Sequence, residues 1–155
     1  MTVLDVCCGS KMFWFDKDDK RALFLDSRTI ETTLCDGRKF TVNPDMTADF
    51  RNLPFMDDSF PLVVFDPPHL RRAGNGSWLA TKYGVLGDDW RDDLRRGFAE
   101  CFRVLTPLGT LVFKWCEEQA GLSAVLALAP EKPLFGNRRG KTIWVVFQKN
   151  AKGEE

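Results

Sequence analysis

The fold class predicted for this chain of 155 residues is a doubly wound, mostly parallel α/β sheet of seven strands, with helices on both faces and one reversed strand at an edge. Three observations predict it. Apolar runs recur as "TVLDV", "ALFLD", "PLVVFD", "TLVFKW" and "TIWVVFQK", and continuously apolar strands belong to sheets covered on both faces. Crossover-length segments lie between them, so strand and crossover alternate. Residues 136–141, which join the last two strands, are too few for a crossover helix, so that pair is antiparallel.

Taken in order, residues 2–6 form a first strand and "CCGS" a turn. "KMFWFDKDDK" (11–20) follows as a short helix or irregular crossover, then "ALFLD" (22–26) as a second strand ending in an acid. Asp36-Gly37 lies between β-favouring runs and predicts a hairpin, whose second arm "KFTVN" (39–43) continues as a third core strand. "PLVVFD" (61–66) is the fourth strand. The stretch 69–89 has four glycines and no period, which reads as a long functional loop. Trp90, Leu94, Phe98, Phe102 and Leu105 share one face of a helix over 88–105, stopped by Pro107 and Gly109. Residues 110–115 form a fifth strand, 117–129 a helix stopped by Pro130, and 133–135 and 142–149 the final antiparallel pair around "GNRRGK". One domain is expected over 1–149, with 150–155 as a flexible tail.

Lysines plus arginines and aspartates plus glutamates number 22 each, so no global field draws the chain to nucleic acid or membrane, and any polyanion must be held by local patches. No apolar run reaches the roughly 18 residues of a membrane span and no signal-peptide layout opens the chain. Cys7, Cys8, Cys35, Cys101 and Cys116 have irregular spacing, as reduced thiols do, and a cytoplasmic location is expected. With a single histidine, His69, no metal site is indicated.

Doubly wound sheets bind ligands beyond the C-terminal ends of their strands. The residues there are Asp5 to Ser10, Asp26, Ala48 to Phe50, and Asp66 to His69. The small-residue turn through Cys7, Cys8, Gly9 and Ser10 permits close approach of a ligand to the backbone. Asp26 falls at the interval where a carboxylate takes ribose hydroxyls in nucleoside-binding sheets. Only Gly9 remains of a G-x-G-x-x-G pattern, so a plain tight turn followed by a solvated Asp26 accounts equally well for these residues alone.

Further residues add to this. "VLDVCCGS", "FLD" and "ADFRNLPFMDDSFPLVVFDPP" together resemble, in order, the motifs of class I (Rossmann-like) S-adenosylmethionine-dependent methyltransferases. The resemblance covers nearly the whole chain, including the reversed final strand. It implies S-adenosylmethionine as cofactor, with Asp5 and Cys7 to Ser10 around the methionine portion, Asp26 on the ribose, Asp49 accepting from the adenine amino group and Phe50 against the base. The chain departs from the pattern in lacking a second glycine and a helix before the first strand; Met12 and Phe13 in "KMFWF" are candidates to supply the missing wall, or to pack in the core.

Asp66-Pro67-Pro68-His69 resembles the [D/N/S]-P-P-[Y/F/W/H] motif of methyltransferases acting on amino nitrogens of planar bases. The chemistry is readable from the residues. An exocyclic amine delocalises its lone pair into the ring. Two acceptors, the Asp66 carboxylate and the Pro67 carbonyl, would bind both amine hydrogens and favour a tetrahedral nitrogen, and the prolines hold those acceptors stiffly. His69 has three readings: a stacking platform, a general base, or a turn residue. Arg71, Arg72, Trp78, Lys82 and Tyr83 follow this tip in the long loop, and Arg138 and Arg139 lie in the terminal turn. Positive charge interleaved with aromatics suits phosphate and a splayed base, while solvation of two exposed loops explains them equally. The expected function is adenine N6 methylation of DNA, with RNA or a smaller amine as alternative acceptors and a catalytically inactive cofactor-binding subunit as a third reading. The sheet uses almost all residues, so sequence recognition would have to come from these loops, or from a homodimer or a partner subunit.

Overall fold

The computed structural model describes residues 1–74 and 76–151. Seven strands form one mixed sheet: β1 (Val3–Asp5), β2 (Ala22–Asp26), β5 (Met46–Thr47), β6 (Phe60–Phe65), β7 (Leu105–Cys116), β8 (Phe135–Arg139) and β9 (Thr142–Gln148), in the order β5-β2-β1-β6-β7-β9-β8. β3 (Ile30–Thr33) and β4 (Lys39–Val42) form a separate two-stranded ribbon. The helices are α1 (Trp78–Tyr83), α2 (Trp90–Val104) and α3 (Leu122–Leu126). β1, β2, β5, β6 and β7 are mutually parallel, and β9 runs against both β7 and β8. The reversed strand is thus one place in from the edge rather than at it. The cause is that β8 takes the outer place, lying parallel to β7.

Alternation along β7 and β9 sets the two faces. Leu111, Phe113, Trp115, Ile143, Val145 and Phe147 are buried against α2 and α3 in a single core with Leu4, Val6, Val63 and Phe65. Leu94, Phe98 and Phe102 are the α2 side of that core, as their spacing predicts. The opposite face carries Val112, Lys114, Trp144 and Val146, all half-buried. There the segment after β1 is an irregular crossover: Trp14 packs edge-on to Phe24 at 4.8 Å and Phe13 edge-on to Trp144 at 5.2 Å.

Four local expectations are corrected. The arm 39–43 does not become the third core strand; Phe40 and Val42 pack with Leu34 and Ile30 in the ribbon's own small core. The two-residue β5 takes the edge place beside β2, fixed where Asp45 accepts from the Phe24 N–H at 3.0 Å. A helix, α1, interrupts the expected loop, started by Ser77, whose Oγ accepts from the Ala80 N–H. α3 is shorter than 117–129, because Glu117 is drawn to the end of β9, its N–H donating to Lys141 O and its Oε1 accepting from Leu122 N. Finally, "GNRR" extends β8 instead of forming the turn, leaving Gly140 (φ 63°) to reverse the chain. Of the expected tail, residues 152–155 lie outside the described residues. No described helix is long and apolar enough to cross a membrane.

Gly97 connects this core to the site. A Cβ there would stand 2.7 Å from both Phe50 and Phe65 ring atoms. Phe65 is fully buried and has no room to retreat. Overpacking of about 1–3 kcal/mol should outweigh the ~1 kcal/mol of helix propensity that alanine adds. Gly97→Ala is therefore expected to lower the urea unfolding midpoint; an unchanged or higher midpoint would show that Phe50 yields freely.

Candidate active site

β1, β2 and β6 end side by side, and their last residues converge. After β1 the chain turns at Gly9 (φ 51°), a left-handed conformation that favours glycine, with open space where a side chain would be. The turn is tied to β2: Cys8 N–H donates to Leu25 O at 2.7 Å and Gly9 N–H to Asp26 Oδ2 at 3.0 Å. Asp26 Oδ1 also accepts from Arg28, at 3.0 Å from its N–H and 3.1 Å from Nε. The Arg28 guanidinium then donates to Thr81 O at 3.0 Å, anchoring α1 over the site. Gly84 (φ 77°) ends α1 so close to the motif that a Cβ would lie 3.2 Å from the Pro68 ring. The long excursion after His69 thus folds back onto the Asp-Pro-Pro-His turn.

The resulting cavity is lined by Cys7, Cys8, Gly9, Ser10, Met12, Phe13, Asp26, Phe50, Asp66, Pro67, Pro68 and His69, with Lys82 and Tyr83 from α1. The ends of β1, β2 and β6, far apart in sequence, therefore share one concavity, as the sequence order anticipates. Sequence reasoning missed three lining residues: Ser27, Arg28 and Lys114. Lys114 had a readable signal, a charge inside the apolar strand "TLVFKW". Its Nζ donates to Asp66 Oδ2 at 2.9 Å and lies 5.5 Å and 5.7 Å from the ring centres of Phe13 and Trp144.

Other expected site residues stand apart. Asp5 is fully buried beneath the turn, accepting from Trp14 Nε1 at 2.7 Å and Cys7 N at 3.3 Å. Asp49 lies outside the cavity lining, both oxygens held by Arg51, which also reaches Asp93 on α2 at 2.9 Å. That pairing holds the Asp49 carboxyl below its usual range. Arg71 packs over Trp90 at 5.2 Å, Arg72 pairs with Asp88 at 3.1 Å, and Arg138 pairs with Glu117 at 2.6 Å. Gln119 grips the main chain at 71–72, its Oε1 accepting both N–H groups. Trp78 is exposed on α1 and Arg139 on β8, neither lining the cavity.

Burial raises the Asp66 carboxyl, and Lys114 partly offsets this through its charge and hydrogen bond. Burial, aided by the Lys114 charge, lowers His69 below the ordinary imidazole value of 6.5, which favours a neutral ring. The chain's only tyrosine, Tyr83, stands 5.3 Å from His69, so α1 places a second aromatic beside the histidine that ends the motif. Lys114→Met would remove the cation that eases ionisation of Asp66. The acidic limb of an activity profile that requires ionised Asp66 should then move to higher pH; movement to lower pH would contradict that electrostatic role.

No family model matches the chain, and no curated protein matches it. Solved structures do. The PH0226 protein from Pyrococcus horikoshii superposes with a TM-score of 0.65 at 16% identity, covering 96% of this chain and 82% of its own. The N-methyltransferase NodS from Bradyrhizobium japonicum gives 0.58 at 12% identity, with 96% and 85% covered. An S-adenosylmethionine-dependent methyltransferase from Methanosarcina mazei gives 0.57 at 12% identity, with 97% and 93% covered. The fold is that of class I S-adenosylmethionine-dependent methyltransferases, the Rossmann-like mixed sheet of seven strands with one antiparallel strand.

Proposed function

We propose that the chain is an S-adenosylmethionine-dependent methyltransferase whose acceptor is an exocyclic amino nitrogen, N6 of adenine in DNA. One observation carries the reading: Asp66 ends a central strand with its carboxylate facing a cavity flanked by the His69–Tyr83 pair. The fit to the cofactor rests on the turn at Gly9, open where a side chain would be, and on Asp26 in the cavity lining. The Asp26 and Asp66 carboxylates are already paired with Arg28 and Lys114 and leave no spare negative charge for the cofactor's sulfonium and ammonium. Cys7 to Ser10 would hold the methionine portion, Asp26 the ribose, and Phe50 the base, with Met12 and Phe13 as wall. Asp49 would serve the base only by giving up part of its pairing with Arg51.

When bound, the cofactor supplies an electrophilic methyl group. The chain's own residues set the acceptor. Asp66 and the Pro67 carbonyl accept the two amine hydrogens, and the raised pKa of Asp66 suits it to take the proton the amine releases. His69 and Tyr83 offer planar faces to the base. The cavity itself holds only ≈ 90 Å³, below the roughly 300 Å³ at the lower end for small-molecule sites. It adjoins a ≈ 270 Å³ recess through Asp66, His69, Tyr83 and Lys114.

A second reading, the same transfer to a smaller amine, is favoured by the internal pairing of Arg72 and Arg138. The test is to incubate purified chain with methyl-labelled cofactor and, separately, DNA, RNA and free nucleosides. Label is expected in DNA, recovered as N6-methyladenine by mass spectrometry. Label only in RNA or in small amines would overturn DNA as substrate, and no transfer to any acceptor would overturn the enzymatic reading.

A further inference from the structure

A cleft of ≈ 470 Å³ opens beside the active-site cavity, between the turn after β1 and the β3–β4 ribbon. Its lining includes Lys11, Lys17, Arg38, Lys39 and Lys82 against one carboxylate, Asp18. In a chain of zero formal net charge this is a local excess. The arginine is neutralised, since Asp36 holds Arg38 at 2.6 Å. Among the described residues none of the four lysines takes part in an ion pair. Two of the ammonium groups are positioned by other means. Lys11 Nζ donates to Lys17 O at 2.9 Å and sits 3.9 Å over the Phe24 ring; Lys82 Nζ is 5.1 Å from the Tyr83 ring. Lys17 and Lys39 are exposed on opposite walls, one from the crossover and one from β4.

The cleft and the Asp66 cavity share Gly9, Ser10, Met12 and Lys82. Anything extended along the cleft therefore passes the mouth of the cavity at Lys82. Lysines without carboxylate partners, with Thr41 and Asn43 between them, suit a repeating anion. We propose that this cleft binds the phosphate backbone of a single-stranded nucleic-acid segment whose unstacked base enters the Asp66 cavity. The role of that base rests on the methyltransferase reading above; phosphate binding by the cleft does not.

The experiment measures binding of a fluorescent single-stranded oligodeoxynucleotide across a salt series, without cofactor turnover. Compared are the wild-type chain, Lys17→Glu/Lys39→Glu, and the control Arg95→Glu/Lys132→Glu, which makes the same charge change at exposed positions outside the cleft lining. The cleft variant is expected to bind about tenfold or more weakly, and its log–log salt slope to shrink by about 1.4, two single-strand phosphate contacts at about 0.7 each. The control should keep the wild-type slope, and cofactor titration should show both variants folded. Equal affinity and slope for cleft variant and wild type would overturn the proposal. So would binding of poly-glutamate as tight as that of the oligonucleotide, which marks a surface selecting charge alone. Cleft-dependent oligonucleotide binding with no methyl transfer to any acceptor would remove the transferase reading and leave the cleft site standing. Transfer to free nucleosides without oligonucleotide binding would do the reverse.

Discussion

Asp66→Ala is expected to lower methyl transfer by roughly 10²–10³-fold, the usual effect of deleting one preorganised hydrogen-bonding group at a reacting centre, while cofactor binding is largely kept. The separation follows from position. Asp66 meets the cavity just after β6, whereas the turn at Gly9 and the Asp26 carboxylate follow β1 and end β2 and are bonded to each other. Its hydrogen-bond partner is Lys114, whose ammonium is also held between Phe13 and Trp144, so that wall need not collapse. Asp66→Asn keeps one acceptor oxygen and should fall between alanine and the parent. Calorimetric cofactor titration with single-turnover transfer separates the two effects. Full transfer by the alanine variant would remove Asp66 from the reaction.

The second large effect is on stability. Asp5 is fully buried and its carboxyl is pushed up to about 7, chiefly by burial, with the charges of Asp66 and Asp26 adding and bonds from Trp14 and Cys7 opposing. Above the ordinary value of 3.8 the unfolded chain has released this proton while the folded chain keeps it. The folded state thus binds more protons, and stability from this group declines as pH rises from about 4 to about 7, then levels off, by up to about 4 kcal/mol. His69 acts in the opposite direction, because its folded value is lowered: its contribution is lost as pH falls. The readout is therefore the difference in urea unfolding free energy between the parent and Asp5→Asn near pH 4.5 and pH 7.5. Asn should flatten the parent's decline; an identical slope in both proteins would mean that Asp5 titrates alike folded and unfolded.

Strands were legible wherever burial imposed continuous apolarity. "ALFLD" is β2 residue for residue, and "PLVVFD" differs from β6 by one residue at each end. The α2 face was legible because its packing follows helical period. β5 was not, since two exposed residues held by one carboxylate leave no apolar pattern. α1 was hidden because it has no buried residue; its order comes from a serine cap, the Arg28 bridge and a glycine seated on Pro68. In the site, residues attached directly to strand ends converge as their order indicates. The basic and aromatic residues share a composition suited to phosphate and bases, but pairing is decided in space, and Asp88 and Glu117 sit where they bind Arg72 and Arg138. Tyr83 beside His69 was equally unreadable, because the chain must first fold back by fourteen residues.

The ribbon of β3 and β4 has its own core of Leu34, Phe40 and Val42 and makes no ladder with the main sheet. Its register depends on its own turn, where Gly37 (φ 82°) donates to Leu34 O at 2.9 Å. Its length and sequence can therefore change without disturbing the strand ends that hold Gly9, Asp26 and Asp66. The ribbon's Arg38, Lys39 and Thr41 line the neighbouring cleft, so grafting a different ribbon between residues 29 and 44 is a route to changing what that cleft holds while the strand ends stay in place.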